Sequence, residues 1–166
     1  HALVPKQFLA DDGVHYEPRW FTPWSRGRRE IYKGIPLGDY RIHFSGITLG
    51  IEICQDAWEG DKRPAYDLAQ RGVSVICNPT ASHFAFGKAE LRKALVLEGA
   101  KIIDGAYVFA NLLGNESGRI IFDGDAYIAY KGQILAQTPR FSYHDFTLVS
   151  HSLSLAVRED TGEDVV

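Results

Sequence analysis

The order of β-like and helical patterns along this chain predicts an α/β layered fold. Three observations carry that expectation. Two short β-like runs lie before residue 54, and two helical segments each end at a glycine and lead into a strand-like run. Short β runs separated by Asp-Gly and Lys-Gly turn signals then fill much of the last third. The order β-β-α-β-α-β, followed by several strands, implies helices packed on a mixed sheet whose second face meets another sheet.

Residues 1–39 are rich in Pro, Gly, Arg and aromatics without clear periodicity, which reads as a long ordered loop region. Residues 40–44 and 46–53 are β-like runs joined by Ser45-Gly46, a tight hairpin that delivers the chain to Cys54. Residues 64–71 place Ala65, Leu68 and Ala69 on one helical face, and Gly72 ends the segment. A buried strand from Val73 to Cys77 is closed by Asn78-Pro79. The stretch 88–104 sets Leu91, Ala94, Leu95, Ala100 and Ile103 at helical spacing, with Gly105 as its stop. Strands are expected over 106–112, 119–122, 126–129, 134–136 and 146–149, with turns at Asp123-Gly124 and Lys131-Gly132. From Ser150 the chain becomes polar and acidic, so 1–149 reads as one domain and 150–166 as a linker or cut end.

Of the 166 residues, 45% are hydrophobic and 23% charged, the composition of an ordinary soluble globular protein. A net charge of −3 gives no electrostatic footprint for nucleic acid or an anionic membrane, and no apolar run is long enough for a membrane helix. Small molecules or other proteins are the expected partners. The two cysteines, Cys54 and Cys77, fit neither a disulfide framework nor a zinc site, which points to a reducing, cytoplasmic compartment. There is no methionine, even at position 1, so the chain is expected to be part of a longer one.

Cys54 ends an apolar run of strand length and is followed at once by the polar segment 55–61. A thiol at the exit of a strand, with a helix to follow, is presented as a nucleophile. Placement alone leaves a structural thiol open. Other chemistries lack support. The histidines are scattered, no H-E-x-x-H occurs, no metal site is expected, and neither a phosphate-binding loop nor a G-x-S-x-G elbow is present.

The segment Gly50-Ile51-Glu52-Ile53-Cys54-Gln55-Asp56-Ala57-Trp58 resembles the nucleophile motif of the nitrilase superfamily. Val4-Pro5-Lys6-Gln7-Phe8-Leu9, running on to Tyr16-Glu17, resembles its lysine motif. Within the superfamily the resemblance is closest to the glutaminase domains of glutamine-dependent NAD synthetases. It rests also on Asn78-Pro79-Thr80-Ala81-Ser82-His83-Phe84 and on the stretch 111–140, and spans roughly residues 3–149.

The resemblance implies an α-β-β-α sandwich, incomplete because its amino-terminal part is missing. It implies hydrolysis of glutamine through a thioester on Cys54, with Lys6 stabilising the tetrahedral intermediate and Glu17 positioning Lys6. Ser82 and Lys88 fall where the family holds the glutamine head, and Trp58 on a pocket wall. No cofactor is implied for this step; ATP and Mg would serve a synthetase domain that this chain lacks and to which ammonia would pass. Self-association is implied as well. The position after the nucleophile, often Glu in the family, is Gln55 here. The family's general-base Glu lies before the lysine motif, on sequence this chain does not contain, so the 166 residues alone are expected to be inactive. The rival readings are a stand-alone amidase or carbamoylase of the same superfamily and a silent fragment that serves as an assembly surface.

Blander roles stand beside these. Without Cys54 and the resemblance Lys6 reads as a surface lysine, and Cys77, inside a β-branched run, reads as a packed core thiol and not as a reactive one. Arg26, Arg28 and Arg29 read as a solvated loop face more than a phosphate cluster, Trp20, Phe21 and Trp24 as loop anchors more than a pocket wall, and His83 as a satisfied loop residue.

Overall fold

A computed structural model describes residues 1–157, 162 and 164–166. Its centre is a six-stranded mixed sheet. The chain enters it through the hairpin β3 (Ile42–Phe44) and β4 (Ile47–Ile51), then runs through α1 (Pro64–Gln70), β5 (Val75–Thr80), α2 (Lys88–Ile102) and β6 (Ala106–Asn111). β9 (Ala126–Tyr130) and β10 (Gln133–Gln137) complete the order β10-β9-β6-β5-β4-β3. The pairs β4-β5 and β5-β6 are parallel, and the outer pairs are antiparallel.

The expected hairpin turns are present. Ser45-Gly46 and Lys131-Gly132 both place two successive residues at positive φ, the mirror-image turn that matches strand twist. The core lies where α1 and α2 meet one face of the sheet, with Leu68, Ile76, Val96, Ala100, Tyr107, Phe109 and Tyr127 buried together. α2 comes close to β6 because residue 99 is glycine. A Cβ there would stand 2.5 Å from the Tyr107 ring.

Several expectations are corrected. The region 1–39 is not all loop: β1 (Arg29–Tyr32) and β2 (Ile35–Gly38) form a hairpin. Its first strand is exposed at every position, so no apolar alternation marked it. β5 does not stop at Cys77 but continues through Pro79 to Thr80, paired with β6. Proline is tolerated there because the ladder to β4 ends at Cys77, leaving no partner on that side for the missing N–H. β7 (Leu113–Glu116) pairs with β8 (Ile120–Asp123), and residues 146–149 form no strand.

The face of α2 is also different from the one read off the sequence. Leu91 and Ala94 are exposed, and the buried face carries Ala89, Arg92, Val96, Gly99 and Ala100. A buried arginine, which no apolar pattern reveals, rotates the helix. Trp20 and Phe21 are 71% and 65% exposed and so are not packed as loop anchors among the described residues. Arg28 lies over the Trp24 ring, 4.3 Å from its centroid, and Arg26 donates to the Lys62 carbonyl.

Among the described residues the remaining strands make two separate ribbons, β1-β2 and β7-β8, rather than a full second sheet. The sheet face away from the helices accordingly keeps Leu49, Ile51, Val75, Cys77, Val108 and Ile128 only half-buried. Of the acidic stretch near the end, residues 158–161 and 163 lie outside the described residues. Beyond them Asp164 pairs with Arg41 and Arg71, and Val165 bridges to Arg41 beside β3. No helix among the described residues is long and apolar enough to cross a membrane.

Candidate active site

Beyond Ile51 the chain leaves the sheet, and Cys54 opens a 3-10 turn, Cys54–Trp58, with its own φ at 48°. That left-handed conformation costs a non-glycine residue about 1 kcal/mol or more, so surrounding bonds must hold it. Its amide donates to Asn78 Oδ1 at 3.2 Å. The Asn78 amide donates in turn to the Tyr107 hydroxyl at 2.8 Å, and that hydroxyl to Glu52 at 2.6 Å. Glu52 is fully buried and also accepts from Arg63 and from the Ala65 amide. The turn is thus tied to β5, β6 and the start of α1.

A second tie reaches the lysine segment. The Asp56 carboxylate, 2% exposed, accepts from the amides of Ile53 (2.8 Å), Gln7 (3.1 Å) and Phe8 (2.8 Å). One side chain therefore fixes both the nucleophile turn and the backbone next to Lys6. Burial pushes the Asp56 carboxyl up to about 6, against the pull of those three amides. Lys6 Nζ lies 2.7 and 2.5 Å from the two oxygens of Glu17, and Glu17 also accepts from the Ala10 amide at 2.6 Å.

Cys54 opens on a cavity of about 250 Å³ whose walls include Trp58, Ser82 and Lys88. Four of the six residues expected at the site thus share one cavity. Lys6 and Glu17 are not on its wall; they reach it through Ala10, which is. Ser82 is held by Asn111, whose side chain accepts from its amide and donates to its carbonyl. The Ser82 hydroxyl is buried and has no partner among the described residues, and neither has His15 Nε2 on the same cavity. Lys88 Nζ lies 5.7 Å from the Trp58 ring centroid, and burial pulls its ammonium below the ordinary lysine value.

Sequence reasoning missed Asp12, His15, Asp56, Asn78 and Asn111. Asp56 stood within the quoted nucleophile motif, and Asn78 closed an expected strand, but nothing local marked either as a tie. Asp12, His15 and His83 bring ligand-capable atoms within 4.8 Å of one another, a grouping that only folding creates. Lys88 Nζ, 3.3 Å from both ring nitrogens of His83, sets a positive charge against a cation there. Burial and that charge pull His83 below the ordinary histidine value.

No family model matches the chain. Individual proteins do. In an alignment that covers 92% of this chain and 23% of that protein, the chain is 35% identical to the glutamine-dependent NAD(+) synthetase of Mus musculus. A crystal structure of a glutamine-dependent NAD(+) synthetase from Cytophaga hutchinsonii superposes with a TM-score of 0.75 at 42% identity, covering 86% of this chain and 23% of that one. A carbon-nitrogen hydrolase from Helicobacter pylori shares the fold, with a TM-score of 0.66 at 23% identity over 81% of this chain and 47% of its own.

The chain thus has the fold of this carbon-nitrogen hydrolase, with its cysteine turn just beyond the end of β4. Its homologues over this length are glutamine-dependent NAD(+) synthetases. The chain spans less than a quarter of the length of these relatives.

Proposed function

We propose that this chain is the cysteine-bearing part of a glutaminase, and that the complete protein hydrolyses glutamine and passes the ammonia to an ATP-dependent synthesis of NAD. The observation that carries the reading is the cavity itself. A cysteine held at positive φ shares it with a lysine and a buried serine hydroxyl that has no partner among the described residues.

In this reading the Cys54 sulfur attacks the side-chain amide carbon, and a carboxylate-held Lys6 faces the oxyanion that forms. Ammonia leaves, and water then cleaves the glutamyl thioester. Ser82, Lys88 and Trp58 hold the head and flank of the substrate, and Glu17 orients Lys6. The general base is a glutamate of the complete protein that none of these 166 residues matches. The step needs no cofactor, whereas ATP and Mg serve the synthetase domain. A reducing cytoplasm and self-association of the parent protein belong to the same reading.

The test is Cys54→Ala in the complete protein. Glutamine-dependent NAD synthesis should be lost while synthesis from free ammonia is retained. Glutamate release at the wild-type rate by that variant would overturn the reading.

A further inference from the structure

A glutaminase site must recognise an α-ammonium group and an α-carboxylate as well as the amide it cleaves. Lys88 supplies a cation for the carboxylate. The ammonium has no obvious partner, because residue 55 is a neutral glutamine whose Nε2 donates to Glu59 Oε1 at 2.8 Å. The acid found on the cavity wall among the described residues is Asp12, which comes from the lysine segment and not from the nucleophile turn.

Asp12 is built into its place. Its Oδ1 accepts from the amides of Val14 at 3.0 Å and His15 at 2.8 Å, and the His15 ring lies 3.1 Å away. Among the described residues its Oδ2 has longer neighbours, His15 Nδ1 at 3.2 Å and His83 Nδ1 at 4.0 Å. One oxygen thus anchors the loop, and the other keeps capacity for a ligand.

His83 Nδ1 lies 4.0 Å from Asp12 Oδ2 and 3.3 Å from Lys88 Nζ, which bounds the separation of the two charges by the sum of those distances. Within that limit an α-amino acid head can meet both charges, each through a charge-assisted hydrogen bond of about 2.8 Å. Burial opposes ionisation of Asp12, but the amides of His15 and Val14 together with the His15 ring outweigh it and hold the carboxyl well below the usual carboxylate range. So weak a base is unsuited to taking a proton from a thiol and suited to remaining an anion.

We infer that Asp12 is the specificity-determining partner of the substrate α-ammonium group, opposite Lys88, so that the cavity selects zwitterionic amino-acid amides. The inference rests on the glutaminase reading. Asp12 takes the position that an acid next to Cys54 would otherwise fill.

The experiment compares L-glutamine with glutaramate, which is glutamine without its α-amino group, as substrates of the complete protein. Wild type should prefer glutamine. Asp12→Asn keeps an oxygen for the two loop amides and should raise the glutamine KM about tenfold or more. Its glutamine KM should change far more than its kcat, and its kinetics on glutamine far more than those on glutaramate. Asp12→Glu should recover part of the preference. An Asp12→Asn enzyme that keeps the full preference, or a Gln55→Ala enzyme that loses it instead, overturns the assignment to Asp12 while leaving the glutaminase reading intact. Absence of glutamine turnover in the wild-type complete protein overturns that reading and the inference with it.

Discussion

The Lys6 ammonium is held before any substrate arrives, gripped by both oxygens of Glu17 at 2.7 and 2.5 Å. A preoriented cation loses little by reorganisation when charge develops on a carbonyl oxygen, and removing such a group typically costs about 10²-fold or more in rate. Lys6→Ala in the complete protein should therefore lower kcat far more than it raises the glutamine KM. Glu17→Gln should give a similar but smaller defect; steady-state kinetics decide both. Asp56 makes a stability prediction with a definite sign. Its folded value of about 6 lies above the roughly 3.9 of an unfolded aspartate. The folded state thus binds the proton more tightly. Asp56 favours folding most below about pH 4, and that contribution fades as pH rises through 6, by on the order of 2–3 kcal/mol. Denaturant unfolding of wild type and Asp56→Asn at pH 4 and pH 7 tests this, because the asparagine does not titrate. The stability of wild type relative to the variant should be lower at pH 7.

At the scale of elements, α2 is oriented by charge as much as by apolar packing. Arg92 has no exposure and lies 2.5 Å from Asp123 and 2.8 Å from Asp125, both equally buried. Asp123 also accepts from Asn111, the residue that clamps Ser82. The helix is thereby coupled to the loop on the far side of the cavity. Replacing Arg92 by methionine keeps volume but leaves two buried carboxylates with less compensation, and breaking such a pair costs about 3–5 kcal/mol. Thermal or denaturant unfolding should show a loss of that order. The opposite face of α2, with Leu91, Ala94 and Leu95 beside Trp58, forms an apolar groove at the surface.

At the scale of the whole molecule, residues distant in sequence close one edge of the sheet. Asp164 accepts from Arg41 at 2.7 Å and from Arg71 at 2.6 Å, while Arg71 also pairs with Asp39 and Asp67. Hydrogen bonds from Arg41 lead the effects that hold the Asp164 carboxyl well below the usual carboxylate range. Because the folded value is depressed, this stabilisation is present above the unfolded value near 3.9 and is lost as pH falls. Asp164→Ala should cost about 1–3 kcal/mol at pH 7 and progressively less on acidification. Urea unfolding at pH 7 and pH 3 measures the difference.

The sequence alone determined the elements around the nucleophile. The β run that leads to Cys54, paired as far as Ile51, the helix expected over 64–71 and found over Pro64–Gln70, and the turns at Ser45-Gly46 and Lys131-Gly132 are short-range, since backbone sterics and local apolar spacing act over a few residues. The lysine and nucleophile motifs likewise named Lys6, Glu17 and Cys54 as a set. Tertiary structure decided the rest. Glu52, Arg63 and Arg92 carry the composition of surface residues, and only their partners made burial affordable, which turned α2 away from its apolar stripe. Asp12 and His15 meet Ser82 and Lys88 across about seventy residues of chain, and no local pattern records such a meeting. Periodicity reports which face of an element is apolar, whereas the charges that converge on a cavity are set by how those elements pack.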